Sequence, residues 1–268
     1  MGPSFSFVSA HRRRRADRRA ARWGAALVIG GLLAGVIGCA TNQEQNPPAA
    51  SVQSVQYYPF LVKGYENLYP KRRVVVLPAT DHRDFADASG VDHSPNGGHP
   101  AIGTVVNQQG KVIERLFGPS LEAVVQDAVV HAANEAGMAA SATAVPLHQE
   151  LGARAADYVI TASIQRFWVT KGRGPDEPDG PSWHTVAEVI LNATVYKPPF
   201  EVAFWQGQSA AVYTDPPAPV NGVSLGDEAE IYDQPGEVLS VALTRAVAQI
   251  FKRDDLHTLL EQDTMRTH

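Results

Sequence analysis

One cysteine in 268 residues, Cys39, closes an apolar run, and its position decides which part of the chain has to fold. Upstream, Arg12 to Arg15, Arg18, Arg19 and Arg22 form a basic region, Ala25 to Ile37 an apolar core, and small Gly38 precedes the cysteine. Basic, apolar and small residues in that order are the pattern of a secretory signal. The competing reading is a permanent transmembrane helix. Thirteen residues at about 1.5 Å each span roughly 20 Å, short of the ~30 Å hydrocarbon core. Gly30, Gly31 and Gly35 weaken that reading further. Residues 1–38 are therefore expected to be a signal peptide, leaving the fold to the residues that follow.

Val36-Ile37-Gly38-Cys39 resembles a bacterial lipobox. The resemblance implies cleavage between Gly38 and Cys39 and lipidation of the Cys39 sulfur, so that membrane lipid is a partner through Cys39. Each acyl methylene buried in a bilayer contributes about 0.8 kcal/mol, so palmitate-length chains would hold a domain on a membrane for long periods. In such proteins Asp after the cysteine marks retention at the inner membrane. Ala40 stands there instead, which implies the outer membrane, facing the periplasm. The pair Arg18-Arg19 is followed by Ala-Ala-Arg-Trp, a poor match to a twin-arginine export signal.

Without residues 1–38 the chain keeps 16 basic and 27 acidic residues, a formal charge of −11. That sign disfavours nucleic acid, whose binding needs a basic surface, and adsorption on anionic headgroups. Once Cys39 is consumed no disulfide, cysteine nucleophile or thiolate metal site remains, and no cofactor is indicated. Stability must come from an apolar core, which about 210 residues can supply.

Residues 39–56 (CATNQEQNPPAASVQSVQ) are polar, carry Pro47-Pro48 and show no apolar period, and so read as a lipidated cysteine and flexible tether. Residues 57–268 read as a single periplasmic domain. Arg73 to Pro78 is a short buried strand; Ile102 to Val106 and Lys111 to Phe117 flank Asn107-Gln-Gln-Gly110 as a hairpin. Ser120 to Ala136 and Glu237 to Lys252 have one-face helical spacing, with a short helix after Asp254 or Asp255. Ala139 to Val145, Tyr158 to Val169, Thr185 to Lys197 and Phe200 to Tyr213 read as strands, with a bend at Gly207. Within Thr185 to Lys197, Ala187, Val189, Leu191, Ala193 and Val195 alternate with Glu188, Asn192 and Thr194, one face dry and one wet. Residues 84–100, 171–183 and 215–236 read as loop insertions. The expected fold class is α+β, an antiparallel-rich sheet with two main helices packed on it.

Four patterns invite a chemical reading. Gly222-Val-Ser224-Leu-Gly226 matches the nucleophile elbow of serine hydrolases, which requires a strand before the serine and a helix after it. Pro216, Pro217 and Pro219 precede it, and only His257 and His268 follow, so a turn is the better reading. His82, His93 and His99, with Asp84 or Asp92, offer nitrogen and oxygen ligands for a divalent ion. None of them has the i, i+4 helical spacing of a zincin, and a solvated insertion is the competing reading. Phe167, Trp168, Trp183, Phe200, Phe204 and Trp205 would line a cleft or fill a core; core is favoured. Lys171-Gly-Arg-Gly174 lacks the spacing of a phosphate loop and fits a solvated hairpin tip.

The order of elements is similar to that of the YajG-type family of envelope lipoproteins over most of residues 73–262. It is carried by Asp81-His-Arg83 after a strand, SLEAVVQDAVVHAANEAGM, ADYVITASIQRFWV with TVAEVILNATVYK, and EVLSVALTRAVAQIFKRDDLHTLLEQ. A looser likeness is to auxiliary lipoproteins of ABC-type transport systems. Both imply a non-catalytic binding or accessory module in an envelope complex or beside a transporter, with no catalytic residues to carry over. The alternatives are handling of lipid or another apolar ligand, and a hydrolase using Ser224 or a metal at His82, His93 and His99.

Overall fold

The computed structural model describes residues 48–61, 63–69, 72–83, 98–144, 156–177, 180–215 and 234–266. Residues 1–38, read above as a signal peptide, Cys39, His93 and the Gly222–Gly226 pattern lie outside these residues.

Among the described residues nine strands form one mixed sheet, with helices packed on it, as α+β. They are β1 (Ala49–Val52), β2 (Arg73–Val76), β3 (Thr80–Asp81), β4 (Ala101–Val106), β5 (Val112–Phe117), β6 (Ala139–Ala142), β7 (Tyr158–Glu177), β8 (Gly180–Tyr196) and β9 (Ala203–Asp215). The helices are α1 (Leu121–Glu135), α2 (Pro235–Phe251) and α3 (Asp254–Arg266). The 20-residue β7 organises the sheet. β8 pairs antiparallel along its length, while β2, β3 and β4 pair parallel with successive parts of β7. β6 continues beyond β2, β5 and β1 beyond β4, and β9 beyond β8. Five pairings among the described residues are parallel, so the sheet is mixed, while its longest ladders, β7 with β8 and β8 with β9, are antiparallel. β2 and β4 accordingly bury residues on both faces, as parallel strands do.

The local reasons are readable. Asn107 folds the β4–β5 turn by accepting from the amides of Gln109 and Lys111. Gly110 there has φ +76°, a conformation favouring glycine. Ser120 caps α1 by accepting from the Ala123 amide. α2 is buried almost all round, against β7, β8 and β9 on one side and α1 on another. The inner face beneath it carries Ala187, Val189, Leu191, Ala193 and Val195, the dry half of the expected alternation.

Three expectations are corrected. The polar stretch read as tether to residue 56 joins the fold from Ala49: β1 pairs with β5, and Val55 is buried. The amides of Gln56 and Tyr58 donate to Ser240 Oγ (3.0 Å) and Thr244 Oγ1 (2.9 Å), one helical turn apart on α2. Gly236 admits this strap, since a Cβ there would stand 2.2 Å from the Ser54 carbonyl oxygen. Residues 171–177 and 180–183, read as loop, extend β7 and β8 as a ribbon. Gly207 is no bend; it lies within β9 and seats the Trp205 ring, which a Cβ would meet at 2.4 Å. The short helix expected after Asp254 or Asp255 is present as α3, and it adds Leu256 and Leu260 to the core.

Candidate functional site

Asp81-His82-Arg83 lies where β2, β3, β4 and β7 converge. Arg83, 9 % exposed, donates through Nη1 to the carbonyls of Ala101 (2.8 Å) and Phe167 (3.2 Å). Its Nε and Nη2 donate to Asp81 Oδ1 (2.9 Å) and Oδ2 (2.8 Å). Burial pushes the Asp81 carboxyl up, and the Arg83 guanidinium more than offsets it, holding it below its ordinary value. This guanidinium rivets β4 to β7, a positioning role with its fork turned into the protein. His82 continues β3, its amide donating to the Ile164 carbonyl (3.0 Å). A ring nitrogen of His99 lies 3.2 Å from the Gly118 carbonyl, on the other side of β4 in the chain. Among the described residues no three His, Cys, Asp or Glu side chains converge as a metal site would require.

Ser224 lies outside the described residues. Of its histidine candidates, His257 stands on α3 beside Glu261 (3.5 Å) and against the Tyr69 ring (5.5 Å). The six aromatics divide rather than line one cleft. Phe167 and Trp205 are core, and Phe204 packs on Tyr158. Phe200 joins a minor cluster with Val75, Leu77 and Val159. Trp183 is exposed on the β7–β8 ribbon, with Lys171 Nζ 5.9 Å from its ring centre. Lys171 and Arg173 thus flank the ribbon instead of forming its tip.

Two buried polar clusters were invisible in the sequence. Tyr57 and Tyr65 hydroxyls stand 2.5 Å apart and both donate to Glu135 at the end of α1. Burial first, then the Glu135 hydrogen bonds, push both phenols well above their ordinary value. Tyr158 donates to Asp263 Oδ2 (2.5 Å), whose other oxygen pairs with Lys197, fastening α3 to the sheet. Phenols held protonated this way serve as hydrogen-bond donors and are poor bases. Their members are 70 and 105 residues apart, and no local spacing announces them.

Two hollows complete the survey. An apolar niche among Val74, Met138, Tyr158, Ile250 and Leu260 has about 10 Å³ of free space, too little for more than a water. A wide polar groove of about 410 Å³ lies on the outer sheet face, lined by Ser163, Asn192, Thr194 and Gln206. None of the described residues that line it is charged. No helix among the described residues is long and apolar enough to cross a membrane.

No family model matches the chain, and no curated protein matches it. Solved structures do. A DUF330-family protein from Xanthomonas campestris is 13% identical, with TM-score 0.43 over 80% of this chain and 99% of the other. A homologue of neuraminyllactose-binding hemagglutinin from Helicobacter pylori is 12% identical, with TM-score 0.37 over 76% and 97%. Lipoprotein GNA1162 from Neisseria meningitidis is 10% identical, with TM-score 0.31 over 69% and 99%.

Proposed function

We propose that this chain is a lipid-anchored, non-catalytic accessory module of the bacterial envelope, held at the outer membrane through Cys39 with its acidic domain in the periplasm. The observation that carries the reading is the sequence Val36-Ile37-Gly38-Cys39 behind a basic and apolar leader, on a chain with no other cysteine. The element order of the YajG-type lipoproteins supports it. So does the assignment of the buried polar groups at Arg83, Glu135 and Asp263 to joining elements of the fold.

Carriage of lipid inside the domain would need an apolar cavity, and the niche among Val74, Met138, Tyr158, Ile250 and Leu260 is smaller than a single acyl chain. Recognition of a protein partner by an exposed surface fits better. In-cell cross-linking followed by mass spectrometry tests this, with Cys39→Ala as the mislocalised control. Recovery of envelope proteins that depends on Cys39 is the expected result. Transporter subunits among them would select the auxiliary-lipoprotein form, and recovery unchanged by Cys39→Ala would overturn the reading.

A further inference from the structure

β9 pairs with β8 along one edge, and among the described residues no strand pairs with its other edge. Exposed edges normally carry lysine, proline or a bulge that prevents pairing with another chain. From Ala203 to Thr214, β9 has no charged residue and no proline, and its ladder is irregular only at its first residues.

The edge is blocked at one point. Arg253 Nη1 donates to the Gln208 carbonyl (3.2 Å), its guanidinium held by Asp255 and standing 5.7 Å from the Trp205 ring centre. This leaves Ser209 to Asp215. It also sets the polarity of the edge. Backbone groups alternate in direction along an antiparallel strand, so a Gln208 carbonyl turned outward places those of Ala210, Val212 and Thr214 outward too. Val212, 58 % exposed, sits at the centre of these seven residues.

We propose that β9 is a pairing edge for a second copy of this chain, antiparallel across a two-fold axis at Val212. In that register Ala210 faces Thr214 of the second copy, Val212 faces itself, and about six backbone hydrogen bonds form. The exposed Val212 side chains cover each other. Charge favours the same place. The chain after residue 38 carries −11, and Ala203 to Thr214, without a charged side chain, is where two such copies approach with least repulsion.

The test uses the full chain in membranes, treated with a short bismaleimide and resolved by denaturing electrophoresis, with the unaltered chain giving the Cys39 background. Val212→Cys is expected to yield covalent dimer. Val202→Cys, more exposed at 78 % but outside the paired segment, is not. A mixture of Ala210→Cys and Thr214→Cys chains is expected to link more than either alone. Val212→Lys, which sets like charges opposite each other, is expected to weaken self-association about tenfold in detergent by sedimentation, with an unchanged circular dichroism spectrum. Cross-linking at Val212 no greater than at Val202, or association indifferent to Val212→Lys, would overturn the proposal. So would a monomer whose β9 edge instead pairs with a strand of another protein.

Discussion

The two faces of the β7–β8–β9 hairpin sheet use the same backbone for different ends. On the inner face Ile164, Phe167, Leu191 and Val189 are fully buried under α2. On the outer face Arg166 pairs with Glu188, Asn192 and Gln206 line an open groove, and Val212 is exposed. Register ties the faces together: Leu191 lies between Ile164 and Ser209, and its neighbour Asn192 between Ser163 and Gln208. Changes one residue apart should therefore have very different consequences, stability on one side and recognition on the other.

The largest effect is expected from Leu191→Ala or Phe251→Ala, each at 0 % exposure, costing about 2–5 kcal/mol in urea unfolding. Asn192→Ala should stay within about 0.5 kcal/mol. Equal losses would break the comparison.

Next comes Arg83→Met, which leaves the Asp81 carboxylate facing protein without its partner, at a cost of about 2–4 kcal/mol. Adding Asp81→Asn should recover part of the loss; no recovery would assign the effect to packing of the arginine stem.

Acid sharpens the same point. The carboxyls of Asp81 and Asp263 titrate below their ordinary value in the fold. Burial works against this at both; Arg83 offsets it at Asp81, and Lys197 then Tyr158 at Asp263. The unfolded chain binds these protons more readily, so their stabilisation is complete at neutral pH and is lost as pH falls below about 4. Unfolding curves should shift to lower urea over that range, with a smaller shift in Arg83→Met.

A smaller effect, about 1–2 kcal/mol, is expected from Tyr65→Phe, which removes one donor to Glu135. An effect near zero would show that the Tyr57 hydroxyl alone satisfies the carboxylate.

Much of the inner face was legible because burial imposes a period. Ala187 to Val195 alternate, and the α2 residues Leu239, Ala242, Leu243, Ala246, Val247 and Ile250 share a helical face. The hairpin at Asn107–Gly110 was legible from turn chemistry. What escaped depends on partners distant in sequence. β1 looks like tether because Ala49 to Val52 have no apolar period, yet parallel pairing to β5 needs only backbone groups. The β7–β8 ribbon contains Gly172, Gly174, Pro175, Gly180 and Pro181, punctuation that the opposite strand overrides. Parallel pairing of β2, β3 and β4 with β7 follows from crossovers that no single segment encodes. At the site, Asp81 and Arg83 were visible as a motif, but their acceptors on Ala101 and Phe167 were not.

The most direct measurement is metabolic labelling of cells with an alkyne fatty acid, followed by envelope fractionation of the native chain and Cys39→Ala. Lipid anchoring predicts that the native chain is labelled and sediments with the outer membrane, and that Cys39→Ala loses both the label and the sedimentation. A Cys39→Ala chain that is still labelled, or still fractionates with membranes as the native chain does, would contradict it.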